Sequence, residues 1–258
     1  MVTAEQMDAP WFAAMLARNG FDGVVVAEVR MQQVGTGQIG KCYRFELEYE
    51  NAAAEVPVSF VGKFPSDNEL SRLTGVQLRN YYREINFYHQ FAGRVSISIP
   101  RCYHAEIEGE GPDFVLLLED MAPAEQGDQL AGCSADVARA AVLELVGLQA
   151  PTWCDESLRD YDYLWSEPDP ATDPAALYGQ LLPGFLDRYA YALEDDEQAI
   201  IAKVGQAPNC PLFQAPTTPF CLEHVDYRLD NMLIDARTSP PGITVVDWQS
   251  VRLGKPMN

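Results

Sequence analysis

The sequence predicts an α+β fold of two lobes, and three observations carry that expectation. From Phe21 to Glu119 the apolar residues fall in β-branched and aromatic runs separated by turn residues. From about residue 134 they recur at helical spacing instead. Between these textures, Asp120 to Gly132 carries Pro123, Gly127 and Gly132 among polar residues, the composition of a link. An antiparallel-sheet lobe over 1–120 and a mainly helical lobe over 121–258 are therefore expected.

The elements follow in order. A leading helix over about Ala9 to Asn19 is stopped by Gly20. Strands are expected at Val24 to Val34, Lys41 to Tyr49, Val56 to Phe64 and Phe114 to Glu119. One long helix interrupts them, about Val76 to Phe91, with Leu78, Tyr82, Ile85 and Tyr88/His89 along one face. Ser134 caps a helix that runs to about Gln149 with Val137, Ala141, Leu145 and Leu148 in a stripe. Further helices are expected at Ala175 to Ala192 and Glu194 to Val204, then short strands at Phe220 to Glu223, Met232 to Ile234 and Ile243 to Val246.

Composition narrows the function classes. At 258 residues and 47% apolar content the chain can bury a sizeable core. Its 38 acidic against 18 basic residues give a formal charge of −20, without the basic stripe that neutralises nucleic-acid phosphates, so no nucleic-acid partner is expected. The densest charge run, Asp155 to Asp173, reads as a solvated acidic surface or as a lip attracting a cationic substrate. The six cysteines form no C-x-x-C pair, and Glu5 and Asp8 stand where a secretory leader would be basic and then apolar, which fits a reducing cytoplasm. Apolar runs such as Phe114 to Leu118 fall far short of the roughly 20 residues that span a bilayer, so no membrane partner is expected.

The chemistry concentrates near the end. Leu222-Glu223-His224-Val225-Asp226 is followed by Asn231 and then, beyond an apolar hairpin, by Asp247-Trp248-Gln249. An Asp, an Asn five residues on, and an Asp past a hairpin are the parts with which kinases accept a hydroxyl proton and hold magnesium. The five-residue gap lets one loop aim Asp226 and Asn231 into one cavity, and the hairpin carries Asp247 beside Asn231. Oxygen ligands of this kind suit a hard cation that also takes phosphate oxygens.

Upstream, Gly35-Thr36-Gly37-Gln38-Ile39-Gly40 lies between two strand-like runs, where absent side chains let backbone N–H groups approach phosphates. Lys63 ends a strand on the same face as Val61 and Ser59, and Glu84 follows on the long helix.

These residues resemble the aminoglycoside phosphotransferase and choline kinase superfamily, nearest its ecdysteroid-kinase-like (CHK kinase-like) branch. His224, Asp226, Asn231 and Asp247-Trp248-Gln249 match that family's H-G-D-x-x-x-x-N and D-[FW]-[EQ] segments, and Glu84, Phe87 and Tyr88 match its E-x-x-F-Y helix motif. The resemblance implies a protein-kinase-like fold, ATP and Mg²⁺ as cofactors, and a small-molecule alcohol as phosphate acceptor. It implies that Asp226, Asn231 and Asp247 are catalytic, with Asn231 and Asp247 on the metal. Gly35, Thr36, Gly37 and Lys63 would then hold the phosphates, with Glu84 holding Lys63, and the hinge around Glu119 and Met121 the adenine.

Two departures accompany it. Val225 stands where the family has Gly, a costly exchange if that position needs positive φ. The family also continues into further helices after a Gly-x-Pro-Met-Asn-like stretch, whereas this chain stops at Asn258, so a C-terminally truncated chain is the expectation. The absence of an A-P-E-like segment after Asp247 favours a small-molecule over a protein acceptor. Two other readings stay open from the residues alone: a nucleotide-binding pseudokinase without turnover, and a metal-dependent phosphoester hydrolase built on His224, Asp226 and Asp247.

Overall fold

The strand-rich first 120 residues form a five-stranded antiparallel sheet. The computed structural model describes residues 1–35, 39–51, 55–165, 174–204 and 217–256. Strands β1 (Val25–Val34), β2 (Gly40–Asn51), β3 (Ser59–Pro65), β4 (Cys102–Ile107) and β5 (Phe114–Glu119) assemble in the order β1-β2-β3-β5-β4. The register sets Cys42 opposite Lys63 and Lys63 opposite Leu116, so Cys42, Arg44, Val61, Lys63, Leu116 and Leu118 share one face. The opposite face carries Phe45, Phe60, Phe64, Val115 and Leu117, which pack with Phe12, Met15 and Leu16 of α1 (Ala9–Arg18). Asp8 caps that helix by accepting from the Trp11 N–H.

The single helix expected over Val76 to Phe91 is in fact two, α2 (Glu69–Gln77) and α3 (Asn80–Gln90). Arg79 breaks the run in the left-handed region at φ 56. Its guanidinium pairs with Glu110 at 2.7 Å and Asp162 at 3.1 Å, tertiary partners that override the local helical pattern. Gly75 permits the close return, because a Cβ there would lie 2.5 Å from the Tyr81 ring. The break also rotates the buried face. Leu78 is exposed, whereas Tyr81, Ile85 and Tyr88 enter the core, with Tyr81 stacked on Phe114 at 4.7 Å.

After β6 (Glu125–Gln126), helix α4 (Ala135–Gln149) starts at Ser134, whose hydroxyl accepts from the Val137 N–H, and buries Ala141 and Leu148. Helices α5 (Pro174–Tyr189) and α6 (Asp195–Val204) follow. Then come β7 (Cys221–Glu223), β8 (Met232–Asp235), β9 (Gly242–Val245) and β10 (Arg252–Gly254). Strand β6 pairs with the β8–β9 hairpin, and β10 pairs antiparallel with β7. The expected strands thus form with ends shifted by a few residues, and β4, β6 and β10 are additions. One apolar cluster joins α3 and β5 to α4, β7, β8, β9 and Trp248, so the sheet and the helical part share a core across the cleft. Among the described residues no helix is long and apolar enough to cross a membrane.

Candidate active site

Lys63 reaches the cleft because strand alternation turns it away from the Phe60/Phe64 face. Its Nζ donates to Glu84 Oε2 of α3 at 2.7 Å and to Asp247 Oδ1 at 2.6 Å. Glu84 is almost fully buried, Lys63 and Asp247 largely so. Burial opposes the ammonium, but Asp247 and Glu84 outweigh it and raise the Lys63 pKa above its ordinary value. Burial likewise pushes the Glu84 carboxyl up, against the pull of Lys63. An ammonium has three donors, and these two contacts leave one for a third partner.

Asp247 sits two residues past the end of β9 in the left-handed region at φ 68, a conformation that Asp tolerates better than most residues. The turn it opens is pinned by Trp248, which is fully buried and stacks on Phe87 of α3 at 3.8 Å with the rings nearly parallel. The Gln249 Nε2 donates to Asp247 Oδ2 at 3.0 Å, and the Gln249 carbonyl accepts from Asn80 Nδ2 at 3.0 Å. Helix α3 therefore meets the 247–249 turn through Asn80, Glu84 and Phe87, at spacings of four and three that lie on one helix face.

The loop after β7 supplies the other half. Asn231 Nδ2 donates to both the backbone carbonyl and Oδ2 of Asp226, each at 2.9 Å. The Val246 N–H donates to the Asn231 carbonyl at 3.0 Å, which brings Asp247 next to Asn231 as the spacing predicted. His224 is buried, with Nε2 2.9 Å from the Val246 carbonyl. Because that carbonyl can only accept, Nε2 carries the proton, and among the described residues Nδ1 has no partner. Burial lowers the His224 pKa, so the ring is neutral and holds the loop. The Ser250 hydroxyl donates to the His224 carbonyl, and Tyr227 donates to the Ala141 carbonyl of α4 at 2.6 Å. Asp226 keeps its side chain partly exposed, with Arg228 3.2 Å away. Val225 lies at φ 71 with its side chain half exposed.

The glycine turn and the hinge flank this core. Gly35 ends β1 at φ 72; Thr36 and Gly37 lie outside the described residues. The returning Ile39 carbonyl accepts from the Tyr81 hydroxyl at 2.8 Å, tethering the turn to α3. At the hinge, Glu119 turns its carboxylate to the Arg101 N–H, and the Met121 carbonyl accepts from the Ala124 N–H. Between them the buried Asp120 carboxylate takes the Arg44 guanidinium at 2.7 Å, a brace from β2 that sequence reading missed. Also missed was Asn80, whose contact with Gln249 joins residues 169 positions apart. The structure thus brings together Lys63, Glu84 and Asp247 by ion pairs, Asp226 and Asn231 by hydrogen bonds, and the two groups through the Val246–Asn231 bond.

Residues 69–258 match the family model described as the phosphotransferase enzyme family, and the chain belongs to that family. No curated protein matches it. Solved structures similar to it include the GDP complex of wild-type aminoglycoside 2'-phosphotransferase-IIIa, at 14% identity and a TM-score of 0.56 over 96% of this chain and 75% of that one. The gentamicin complex of APH(2")-IIa aligns at 17% identity and a TM-score of 0.52 over 99% and 73%. Choline kinase from Cryptosporidium parvum Iowa II aligns at 8% and 0.50 over 88% and 59%. These likenesses show the kinase-like fold that the family resemblance implied.

Proposed function

We propose that the chain is an ATP-dependent phosphotransferase that moves the γ-phosphoryl group to a hydroxyl of a small molecule. The observation that carries this reading is Lys63 bridging Glu84 and Asp247 beside the Asp226–Asn231 pair. Related structures hold GDP, ATP or ADP, and some hold aminoglycosides or spectinomycin, which supports a nucleotide and a small acceptor here. In this reading residues 1–120 form the nucleotide lobe and 121–258 the catalytic lobe. The Asp247-Trp248-Gln249 turn agrees with the ecdysteroid-kinase-like branch.

Each residue then has a physical task. Lys63 turns its donors from Asp247 to the phosphates, with Glu84 fixing its position. Gly35, Thr36 and Gly37 present backbone N–H groups to phosphate oxygens, and the backbone at Glu119 and Met121 contacts the adenine edge. Asn231 gives its amide protons to Asp226 and so keeps Oδ1 for a cation, and Asp247 supplies carboxylate oxygens; both are donors that magnesium accepts. Asn231 and Asp247 would hold magnesium there, and when bound it would offset phosphate charge.

Asp226 orients the acceptor hydroxyl and takes its proton as the new P–O bond forms. The bond between the γ-phosphorus and the β–γ bridging oxygen breaks, and its electron pair leaves on ADP. Positioning and electrostatics do most of the work in so loose a transition state.

One observation favours a competing reading: Val225 in the left-handed region beside the base is compatible with a nucleotide-binding pseudokinase. Labelled ATP incubated with aminoglycosides, choline and sterol alcohols separates the two. Label is expected on at least one acceptor and to vanish in Asp226→Ala. Tight ATP binding without transfer to any of them would overturn the enzyme reading.

A further inference from the structure

The Asp247 carboxylate is held at both oxygens, and the two holds are not equivalent. Oδ1 accepts from Lys63 at 2.6 Å, and Oδ2 accepts from Gln249 Nε2 at 3.0 Å. For Asp247 to serve a cation through Oδ1 while Lys63 serves phosphate, the Lys63–Asp247 contact must be released. The Gln249 amide is then the donor left to aim the carboxylate. Gln249 is itself anchored at its carbonyl by Asn80 Nδ2.

Asn80 begins α3 but does not cap it, since its side chain donates across to the turn and the N-cap position is Arg79. It is buried, a costly place for an amide unless its bond is used, and among the described residues its Oδ1 has no partner. The same helix carries Glu84 one turn further on, the group that retains Lys63 when Asp247 lets it go.

We propose that Asn80 and Gln249 are positioning residues of the phosphoryl-transfer site. They keep Asp247 aimed at the cation when Lys63 turns to the nucleotide, so one face of α3 governs both partners of the exchange. The inference rests on the magnesium–nucleotide reading above. Groups that orient a metal ligand without touching the metal typically contribute 10–100-fold in metal affinity. The expectation is therefore a selective loss of magnesium affinity, with metal-free nucleotide binding retained through Lys63 and Glu84.

The test titrates Mg²⁺ into the full chain at fixed ATP and follows binding by calorimetry, beside ATP alone. Asn80→Asp removes the donor at constant shape. Gln249→Met removes the amide while leaving the backbone carbonyl for Asn80, and it serves should Asn80→Asp fail to fold. Each variant is expected to raise the half-saturating Mg²⁺ concentration about tenfold or more, with ATP affinity in EDTA unchanged. The double variant is expected to be no worse than the weaker single one, because both act along one chain of contacts.

Wild-type magnesium curves in folded variants would overturn the proposal, as would an equal loss of binding with and without metal. If the wild-type chain itself shows no magnesium-dependent ATP binding, the magnesium–nucleotide reading falls and this inference falls with it.

Discussion

The 247–249 turn and the 224–231 loop each contain a non-glycine residue in the left-handed region, Asp247 at φ 68 and Val225 at φ 71, and they differ in how exposed their carboxylates are, 25% at Asp247 and 42% at Asp226. The turn is held by side chains: Trp248 lies in the core against Phe87, and Asp247 is bound to Lys63 and Gln249. The loop is held by the His224 ring on the Val246 carbonyl, by the Ser250 hydroxyl on the His224 carbonyl and by the Asn231 amide on Asp226. Burial fixes the side that the proposed function assigns to phosphate and cation. In the loop the Asp226 carboxylate stays partly exposed, which in the proposed reaction leaves it open to an incoming hydroxyl. The penalties differ too, since Asp enters the left-handed region readily and a β-branched residue does not.

The largest effect should come from the exposed member of this contrast. Asp226→Ala is expected to lower turnover by about 10²- to 10⁴-fold while leaving the melting temperature nearly unchanged. A variant that keeps its rate would remove Asp226 as the base. On the buried side, Lys63→Met strands the Glu84 carboxylate and is expected to cost about 3 kcal/mol of stability by denaturant unfolding. Adding Glu84→Leu should restore most of that loss, and a double variant as unstable as the single one would contradict the pairing.

A smaller effect tests the strain in the loop. Val225→Gly relieves a left-handed valine at the cost of extra backbone freedom when unfolded, so a net gain of about 1 kcal/mol or less is expected. A lower melting temperature would show that the valine side chain makes contacts worth more than its strain.

The smallest effect concerns pH. Burial depresses the His224 pKa below its ordinary value of 6.5, so neutral His224 contributes stability above that pH, and the contribution is lost as pH falls toward the folded-state pKa. Melting temperatures at pH 7.5 and 5.5 should therefore fall more steeply for the wild type than for His224→Gln. Parallel slopes would separate His224 from the acid sensitivity.

Much of the fold was legible because its signals are local. Alternation marked β1, β2, β3 and β5, Ser134 marked the start of α4, and the spacing of Asp226, Asn231 and Asp247 fixed the loop–hairpin–turn order. The break at Arg79 was not legible, since no Gly or Pro marks it and its cause is ion pairing with Glu110 and Asp162 far along the chain. Helix α2 had a readable start in Asn68, whose side chain accepts from the Ser71 N–H, although weak apolar periodicity hid it. Strand β4 was missed because Cys102 to Ile107 mixes His104 and Glu106 into a short run. The candidate site was legible in its charged residues and in Asn231, but not in the amides that brace it. Lys63 and Glu84 announce themselves by charge and order, whereas Asn80, Gln249 and the Arg44–Asp120 brace acquire meaning only through contacts the fold creates.

The central claim is that Lys63, Glu84, Asn231 and Asp247 form one magnesium–nucleotide site, and thermal unfolding tests it most directly. The chain is heated with ATP, with and without Mg²⁺, beside an Asp247→Asn variant. At 100 times the dissociation constant a ligand stabilises by about 2.7 kcal/mol, so a clear magnesium-dependent rise in melting temperature is expected for the wild type and its loss in the variant. An equal response of both chains, or no response in a folded wild type, would contradict the account.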